Sequence, residues 1–172
     1  GMVVEWVGPS GERRRFGWVS LSSFYGDDAE EITKRKRSCS KDLRALLQGM
    51  KESRVAGVIL DLRGNGGGLL DEALEIGGLF LGHEAPQKLG PERYQVPVYS
   101  GPLVVLVDRD SASASELLAG ALQDHARGVL VGGAQTYGKG TVQNVVDLRD
   151  YVSKPLRNLA GGALVTAGKF YR

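Results

Sequence analysis

Buried strands and amphipathic helices alternate along the middle of this chain. Two short apolar runs, Val58–Leu62 and Leu103–Val107, have the length and near-continuous hydrophobicity of strands that are covered on both faces of a sheet. Val129–Val131 is a shorter run of the same kind. Further strands are predicted at 3–6, within 13–24, at 141–148 and at 163–171. Because strands and helices alternate, we expect an α/β fold with a largely parallel sheet flanked by helices.

Three helices are predicted between these strands. Ser40 is the candidate N-cap of the first helix, because its short hydroxyl side chain can accept a hydrogen bond from the helix N-terminus. Four apolar residues follow it at the spacing of an amphipathic stripe: Leu43, Leu46, Leu47 and Met50. The second helix is expected over 69–80, apolar around much of its circumference, and the third over 113–123. Residues 83–100 carry three prolines and no clear period, and predict an irregular excursion with a short strand near 94–98.

Composition narrows the class of protein. The 172 residues are 42% hydrophobic and 24% charged, which suits one domain with a full core, so residues 1–172 are interpreted as a single domain. A net charge of +2 demands neither nucleic acid nor a membrane as partner. The basic run 34–37 lacks interleaved aromatic residues and is interpreted as a solvated face. One cysteine and two histidines leave no basis for a disulfide framework or a metal cluster, so no metal is predicted.

Two segments share the plan of buried strand, small-residue turn and helix. In the first, the turn is the glycine run RGNGGG at 63–68, and in the second it lies at 110–112. The glycine run lacks the lysine of a phosphate-binding P-loop and the spacing of a dinucleotide fingerprint. Since helix N-termini offer unpaired backbone N–H groups, two such turns side by side predict an oxyanion hole, although a plain tight turn remains an alternative for the glycine run alone.

Three serines at alternate positions, Ser111, Ser113 and Ser115, open the third helix and are candidate nucleophiles. A histidine base would have to be His125, some three helical turns away, or His83 in the irregular region. Lys139, fixed between two glycines, is the better candidate, because a lysine that is desolvated can lose its proton near neutral pH. Taken singly, these residues fit a capping turn and a surface lysine. Together with the glycine run they favour a serine peptidase that uses a lysine base.

Three stretches of the sequence are recognisable as motifs: GVILDLRGNGGGLLDEA, PLVVLVDRDSASASELLAGALQD and YGKGTVQ. They closely resemble the C-terminal processing peptidases, and within these the tail-specific protease branch. The resemblance covers residues 14–172. It implies a ClpP/crotonase-like core and a serine endopeptidase, a hydrolase that cleaves proteins near unstructured, apolar C-terminal tails, with no cofactor.

The resemblance also implies roles for individual residues. Ser113, the middle serine of SASASE, is the implied nucleophile, Lys139 the general base, and Gln143 the residue that orients the lysine. The implied oxyanion donors are the backbone N–H groups of Gly68 and Ala114. Asp124 matches an acidic residue implicated in the tail-specific branch. The loop at 132–136 is one residue longer than the usual family loop before the lysine.

The same resemblance carries expectations about the protein's context. An exported enzyme of the bacterial periplasm or cell envelope is expected, with peptide or protein substrates, no nucleic acid and a possible homo-oligomer. Members normally carry a PDZ domain upstream, which is absent from this chain, and Gly1-Met2 is interpreted as a tag remnant. Two alternatives remain open. One is a non-catalytic module that binds peptides or apolar ligands. The other is an acyl-CoA enzyme of the crotonase type, whose catalytic acids would be expected near the glycine turn, whereas Asp71 and Glu72 lie on the helix that follows it.

Overall fold

The computed structural model describes residues 1–27, 37–82 and 96–171 of the chain. Its strands are β1 Met2–Val7, β2 Arg13–Ser20, β3 Gly57–Asp61, β4 Leu103–Val107, β5 Val129–Gly132, β6 Thr141–Asp147 and β7 Gly162–Lys169. Its α-helices are α1 Cys39–Glu52, α2 Leu70–Leu81 and α3 Ala114–Asp124. The chain divides into two compact units, one ending at Gly138 and one beginning at Lys139. The interpretation of 1–172 as one catalytic domain stays a prediction.

The first unit is built on a five-stranded sheet in the order β1-β2-β3-β4-β5. β1 runs antiparallel to β2, and the other neighbours are parallel. Because β2 to β5 follow the chain in order, right-handed crossovers place the three helices on one face, where α2 packs between α1 and α3. The predicted α/β fold with a largely parallel sheet and flanking helices is confirmed. The carboxyl ends of β3 and β4 lie side by side and carry the two turns of interest.

The helix face of the sheet forms the hydrophobic core. Fully buried side chains come from both layers: Leu47 of α1, Val58 and Leu60 of β3, Ile76 and Leu79 of α2, Val105 of β4, and Leu118 and Leu122 of α3. Gly17 of β2 lets α1 approach closely, since a Cβ at that position would lie 2.3 Å from the sulfur of Met50. The described helices include none that is long and apolar enough to cross a membrane.

The N-terminus of α1 differs from the sequence prediction. Ser40 is not the N-cap; the cap is Ser38, whose Oγ accepts a hydrogen bond from the N–H of Lys41 at 3.3 Å. Ser40 lies inside the first turn, where its N–H donates to the Glu72 carboxylate of α2 at 2.8 Å. The prediction was wrong because the helix begins earlier than its apolar stripe, and a carboxylate from a distant part of the chain satisfies the N-terminal N–H.

Cys39, the first residue of α1, is buried, with 1% of its surface exposed. Its Sγ lies 3.4 Å from Oε2 of Glu72. Burial, and then the neighbouring Glu72 carboxylate, raise the pKa of the Cys39 thiol to about 12. The thiol therefore stays protonated at neutral pH in the folded chain.

The second unit pairs β6 with β7 in an antiparallel ladder that has an irregularity between Val142 and Gln143. Two short 3₁₀ turns, Leu148–Asp150 and Lys154–Leu159, connect the strands. Asp147 caps the first turn and pairs with Arg149, which holds the pKa of the Asp147 carboxyl at about 2. Several predictions fall wholly or partly outside the described residues: most of the basic run 34–37, His83, and the excursion at 83–100 up to residue 95.

Candidate active site

Ser113 has a strained backbone at the N-terminus of α3. Its φ of 56° and ψ of −114° place a non-glycine residue in a region that L-amino acids avoid, at a cost on the order of 1–3 kcal/mol. The other described non-glycine residues with positive φ, Arg54 and Ala126, follow helix C-termini, where this conformation is common. A strained serine between a buried strand and a helix resembles the nucleophile elbow of other hydrolases, which exposes the hydroxyl at the sheet edge.

The two serines that flank Ser113 have structural partners. Ser111 and Ser115 are both fully buried. The Ser111 hydroxyl donates to the carbonyl oxygen of Leu62 at 2.9 Å, and the Ser115 hydroxyl donates to that of Asn65 at 2.8 Å. Ser113 itself is partly exposed. Of the three alternate serines, the middle one is therefore the one whose hydroxyl lies within reach of a substrate.

The glycine turn after β3 packs directly against Ser113. Gly67 has a φ of +107°, and an ideal Cβ there would lie 2.9 Å from Ser113 Cβ and 3.2 Å from the Ala114 nitrogen. Such distances exclude any side chain larger than hydrogen at Gly67. The glycine turn and the start of α3 are thus in van der Waals contact at the place where the sequence predicts an oxyanion hole.

The orientation of two backbone N–H groups follows from their neighbours. The carbonyl oxygen of Gly67 accepts from the Phe24 N–H at 3.0 Å. In a trans peptide the C=O and the following N–H point in opposite directions, so the N–H of Gly68 points away from Phe24. The carbonyl of Ser113 accepts from Leu117 within α3, so the N–H of Ala114 points out of the helix N-terminus. Both orientations suit oxyanion donors, and that role stays a prediction.

Two acidic residues that the sequence analysis did not select hold these turns in place. The carboxylate of Asp108, just after β4, accepts from the N–H groups of Gly64 at 3.0 Å and Ser111 at 3.0 Å. These contacts, the one from Gly64 foremost, hold the pKa of the Asp108 carboxyl below its usual range. Its position directly after a buried strand was the available signal.

Glu116 is the second such residue. Its carboxylate accepts from the Ser113 N–H at 2.8 Å, the Thr136 hydroxyl at 2.7 Å and the Gly138 N–H at 2.6 Å. Gly138 immediately precedes Lys139 in the chain. The spacing S-x-x-E from Ser113 is a capping-box pattern that marks this glutamate from sequence alone.

The remaining predicted residues lie apart from this cluster or in the second unit. Asp124 is the last residue of α3, the length of which separates it from Ser113 by about 16 Å. His125 caps the same distant end, so it does not lie beside Ser113 as a base. Lys139 opens the second unit, and Gln143 lies on β6 opposite Thr166. A pairing of Lys139 with Ser113 stays a prediction.

Residues 15–171 match the model of peptidase family S41. The relatives include the chloroplastic C-terminal processing peptidase of Tetradesmus obliquus, which is 36% identical over 83% of this chain and 30% of its own length. The tail-specific protease of Haemophilus influenzae is 38% identical over 77% of this chain and 20% of its own length. The carboxyl-terminal-processing protease of Picosynechococcus sp. is 37% identical over 91% of this chain and 34% of its own length. The chain thus spans between a fifth and about a third of these relatives.

Solved structures are similar as well. A photosystem II D1 C-terminal processing protease superposes with a TM-score of 0.63 at 29% identity, over 95% of this chain and 39% of that one. Mature CPAF superposes with a TM-score of 0.58 over 84% of this chain and 42% of that one, and at 13% identity this likeness concerns the fold alone.

Proposed function

The chain belongs to peptidase family S41, and from that premise we propose that it is the catalytic core of a serine endopeptidase that cleaves protein substrates near their C-termini. The observation that carries the proposal is Ser113: a partly exposed serine, strained at a strand-to-helix turn and in contact with the glycine turn. A strain of this kind persists only where the surrounding structure enforces it, and such sites are typically functional.

In the proposed reaction, neutral Lys139 accepts the hydroxyl proton of Ser113 as its oxygen attacks a peptide carbonyl carbon. The resulting lysinium protonates the departing amine, which leaves an acyl-enzyme ester. Lys139 then takes a proton from water, the water oxygen attacks the ester, and the carboxylic acid product departs as Ser113 recovers its proton. Gln143 is proposed to orient the lysine amine. The proton balance closes over the two steps without a metal or cofactor.

The oxyanion of each tetrahedral intermediate is proposed to accept hydrogen bonds from the N–H groups of Gly68 and Ala114. The orientation of both groups supports this role. The carbonyl oxygens of Gly67 and Ser113 are hydrogen-bonded to Phe24 and Leu117, and the N–H of the same peptide points the opposite way in each case. Asp124 lies at the far end of α3, so any contribution from it is proposed to be indirect.

The substrate class and the cellular context are also proposals. Relatives with 36% and 38% identity are named as a C-terminal processing peptidase and a tail-specific protease, which supports protein substrates cleaved near their C-termini. That these C-terminal tails are unstructured and apolar is part of the proposal. Some of these relatives are chloroplastic and others are bacterial. We propose export to a bacterial periplasm or cell envelope, and the chloroplastic relatives make a chloroplast the alternative compartment. Association into a homo-oligomer is a further proposal, which the molar mass in solution would test.

Two substitutions test the dyad. Ser113→Ala should reduce cleavage of a quenched fluorogenic peptide with an apolar C-terminus by roughly a millionfold, because it removes the nucleophile. Lys139→Ala should reduce it by roughly 10²–10⁴-fold, because it removes the base. Ser10→Ala and Lys154→Ala, both at exposed positions, are the matched controls and should retain wild-type rates. Wild-type turnover by Ser113→Ala would refute the proposed nucleophile.

The competing functions predict different results. A non-catalytic binding module would leave Ser113 unreactive, whereas the peptidase should be labelled at Ser113 by a fluorophosphonate, as located by peptide mass spectrometry. For an acyl-CoA enzyme, Glu72 is a poor candidate acid, because its carboxylate already accepts from the Ser40 N–H and the Ser38 hydroxyl at the start of α1. Binding of coenzyme A in calorimetry would revive that alternative.

A further inference from the structure

Asn65 lies at the centre of the contact between the glycine turn and the nucleophile turn. It is fully buried, with 0% of its surface exposed. Its side-chain Oδ1 accepts from the Gly67 N–H at 2.9 Å, and its Nδ2 donates to the carbonyl oxygen of Leu21, just beyond the end of β2, at 2.8 Å. Because one partner can only donate and the other can only accept, the orientation of the amide is fixed by its surroundings.

The backbone of Asn65 connects the same turn to α3. Its carbonyl oxygen accepts from the Ala112 N–H at 2.9 Å and from the Ser115 hydroxyl at 2.8 Å. These two partners lie one residue before and two residues after Ser113. The main chain on both sides of the strained serine is therefore held by one peptide group of the glycine turn.

We propose that Asn65 is a positioning residue that fixes the Gly67–Gly68 peptide against the N-terminus of α3, so that the two oxyanion donors keep their separation. The side-chain amide anchors Gly67 to the end of β2, and the backbone carbonyl anchors the nucleophile turn to the same point. Gly67 lies within contact distance of Ser113, so displacement of the glycine turn also displaces the serine. This inference rests on the proposed peptidase function.

Asparagine is suited to this position because the site needs one donor and one acceptor on adjacent atoms. Aspartate keeps an acceptor for Gly67 but, when ionised, offers the Leu21 carbonyl no donor. An aliphatic residue of similar size leaves both backbone partners unsatisfied in the interior, at a cost typical of buried polar groups. A purely structural asparagine would affect stability, whereas a positioning asparagine also affects the step in which the oxyanion forms.

Asn65→Asp is the first test, made in the full 172-residue chain. We expect kcat for the fluorogenic peptide to fall by roughly a hundredfold, with KM changed by less than about threefold, because the oxyanion exists only in the transition state and intermediates. Asn158→Asp introduces the same charge at an exposed position and should keep the wild-type kcat. Circular dichroism and the thermal midpoint identify a temperature at which every variant is fully folded.

The pH profile gives a readout that a structural role would not produce. Burial disfavours the ionised form of the introduced carboxyl, and when protonated it again offers a hydrogen atom to Leu21. The ratio of variant kcat to wild-type kcat, measured on folded protein, should therefore rise as the pH falls from 8 to about 5. The same ratio for Asn158→Asp should stay flat.

Ser115→Ala is the second variant, and it tests the positioning role of Asn65 if the Asn65→Asp protein does not fold. Alanine is an excellent helix former, so α3 should persist, while the Asn65 carbonyl loses its hydroxyl donor. We expect kcat to fall by about tenfold with KM unchanged, since one of several anchors is removed. A folded Asn65→Asp or Ser115→Ala protein with wild-type kcat would overturn the positioning role. Absence of fluorophosphonate labelling at Ser113 in the wild type would instead overturn the proposed peptidase function.

Discussion

At the scale of single residues, the site depends on which atoms have room. Ser113 holds a strained conformation because Ser111, Ser115 and Glu116 fix the chain on both sides of it. Gly67 has the opposite constraint, because its φ of +107° and its contact with Ser113 admit no side chain. The strained backbone of Ser113 and the lack of space at Gly67 therefore occur at the same contact between the two residues.

Gly67→Ala should therefore damage both stability and activity. The added methyl group would lie 2.9 Å from Ser113 Cβ and from the Ala112 carbonyl oxygen, and overpacking of this kind costs about 1–3 kcal/mol of unfolding free energy. We expect peptidase activity to fall by at least roughly a hundredfold, because displacement of the turn moves an oxyanion donor. Urea unfolding and the fluorogenic assay measure the two effects.

The neighbouring glycine supplies the control. A Cβ on Gly66 meets no atom within 4 Å, and its φ is not positive. Gly66→Ala should keep wild-type stability within about 0.5 kcal/mol, together with wild-type activity. Equal losses in both variants would show that the contact with Ser113 is not the cause.

At the scale of elements, the sequence predicted the bounds of a strand or helix accurately where the local hydrophobic pattern determines them. Leu103–Val107 was predicted with the bounds that β4 has, and α2 and α3 each differ from their predicted ranges by one residue at either end. The start of α1 was misplaced, because Glu72 of α2 completes its cap. Periodicity reports which face of an element is buried, whereas a cap supplied from another element has no local signature.

The turn held by Asp108 gives a pH prediction at this scale. Hydrogen bonds from Gly64 and its neighbours lower the pKa of this carboxyl, so the folded chain binds its proton less tightly than the unfolded chain. The Asp108 carboxylate thus stabilises the folded chain fully above the unfolded pKa of about 4. This stabilisation is lost as the pH falls through the lower folded pKa. Asp108→Asn should be less stable than wild type at pH 7, and the difference should shrink steadily as the pH falls from about 5 towards about 2.

Urea midpoints at stepped pH values measure this effect. Asp150→Asn, at an exposed position in the second unit, removes the same charge and is the matched control for its loss. A stability difference for Asp108→Asn that is constant over the whole pH range would contradict the proposed contribution of the charge.

At the scale of the whole molecule, the α/β fold followed from the order of strands and helices, but the candidate site did so only in part. Residue patterns left three serines open, and the buried partners of Ser111 and Ser115 distinguish them only after folding. Asn65 was missed because a buried asparagine in a glycine run has no periodic signature. The sequence favoured Lys139 as the base for Ser113, because glycines flank it and neither histidine is well placed, and the family resemblance implies the same role. The two residues belong to different units, so their pairing stays a prediction.

Cys39 offers a measurement of global unfolding for the whole chain. The thiolate is the reactive form, and burial raises the pKa of this thiol to about 12. Alkylation with iodoacetamide at pH 8 should therefore be at least about a hundredfold slower in native buffer than in guanidinium chloride. A Cys39→Ala chain that carries Ser10→Cys, at an exposed turn, should react rapidly in both conditions. Equal rates for native and denatured Cys39 would contradict its burial.

Most hydrogen bonds that hold the nucleophile turn involve main-chain atoms. The carbonyl oxygens of Leu62 and Asn65 accept from the hydroxyls of Ser111 and Ser115, and the N–H of Ala112 donates to the Asn65 carbonyl oxygen. For protein engineering, substitutions and changes of loop length are therefore expected to affect these main-chain hydrogen bonds differently. A library that exchanges side chains of similar size at Leu62 or Ala112 leaves those atoms where they are. A library that inserts or deletes a single residue within 63–68 or 108–115 shifts several partners at once. Efforts to retune cleavage preference should therefore keep both loop lengths fixed and vary residues outside them.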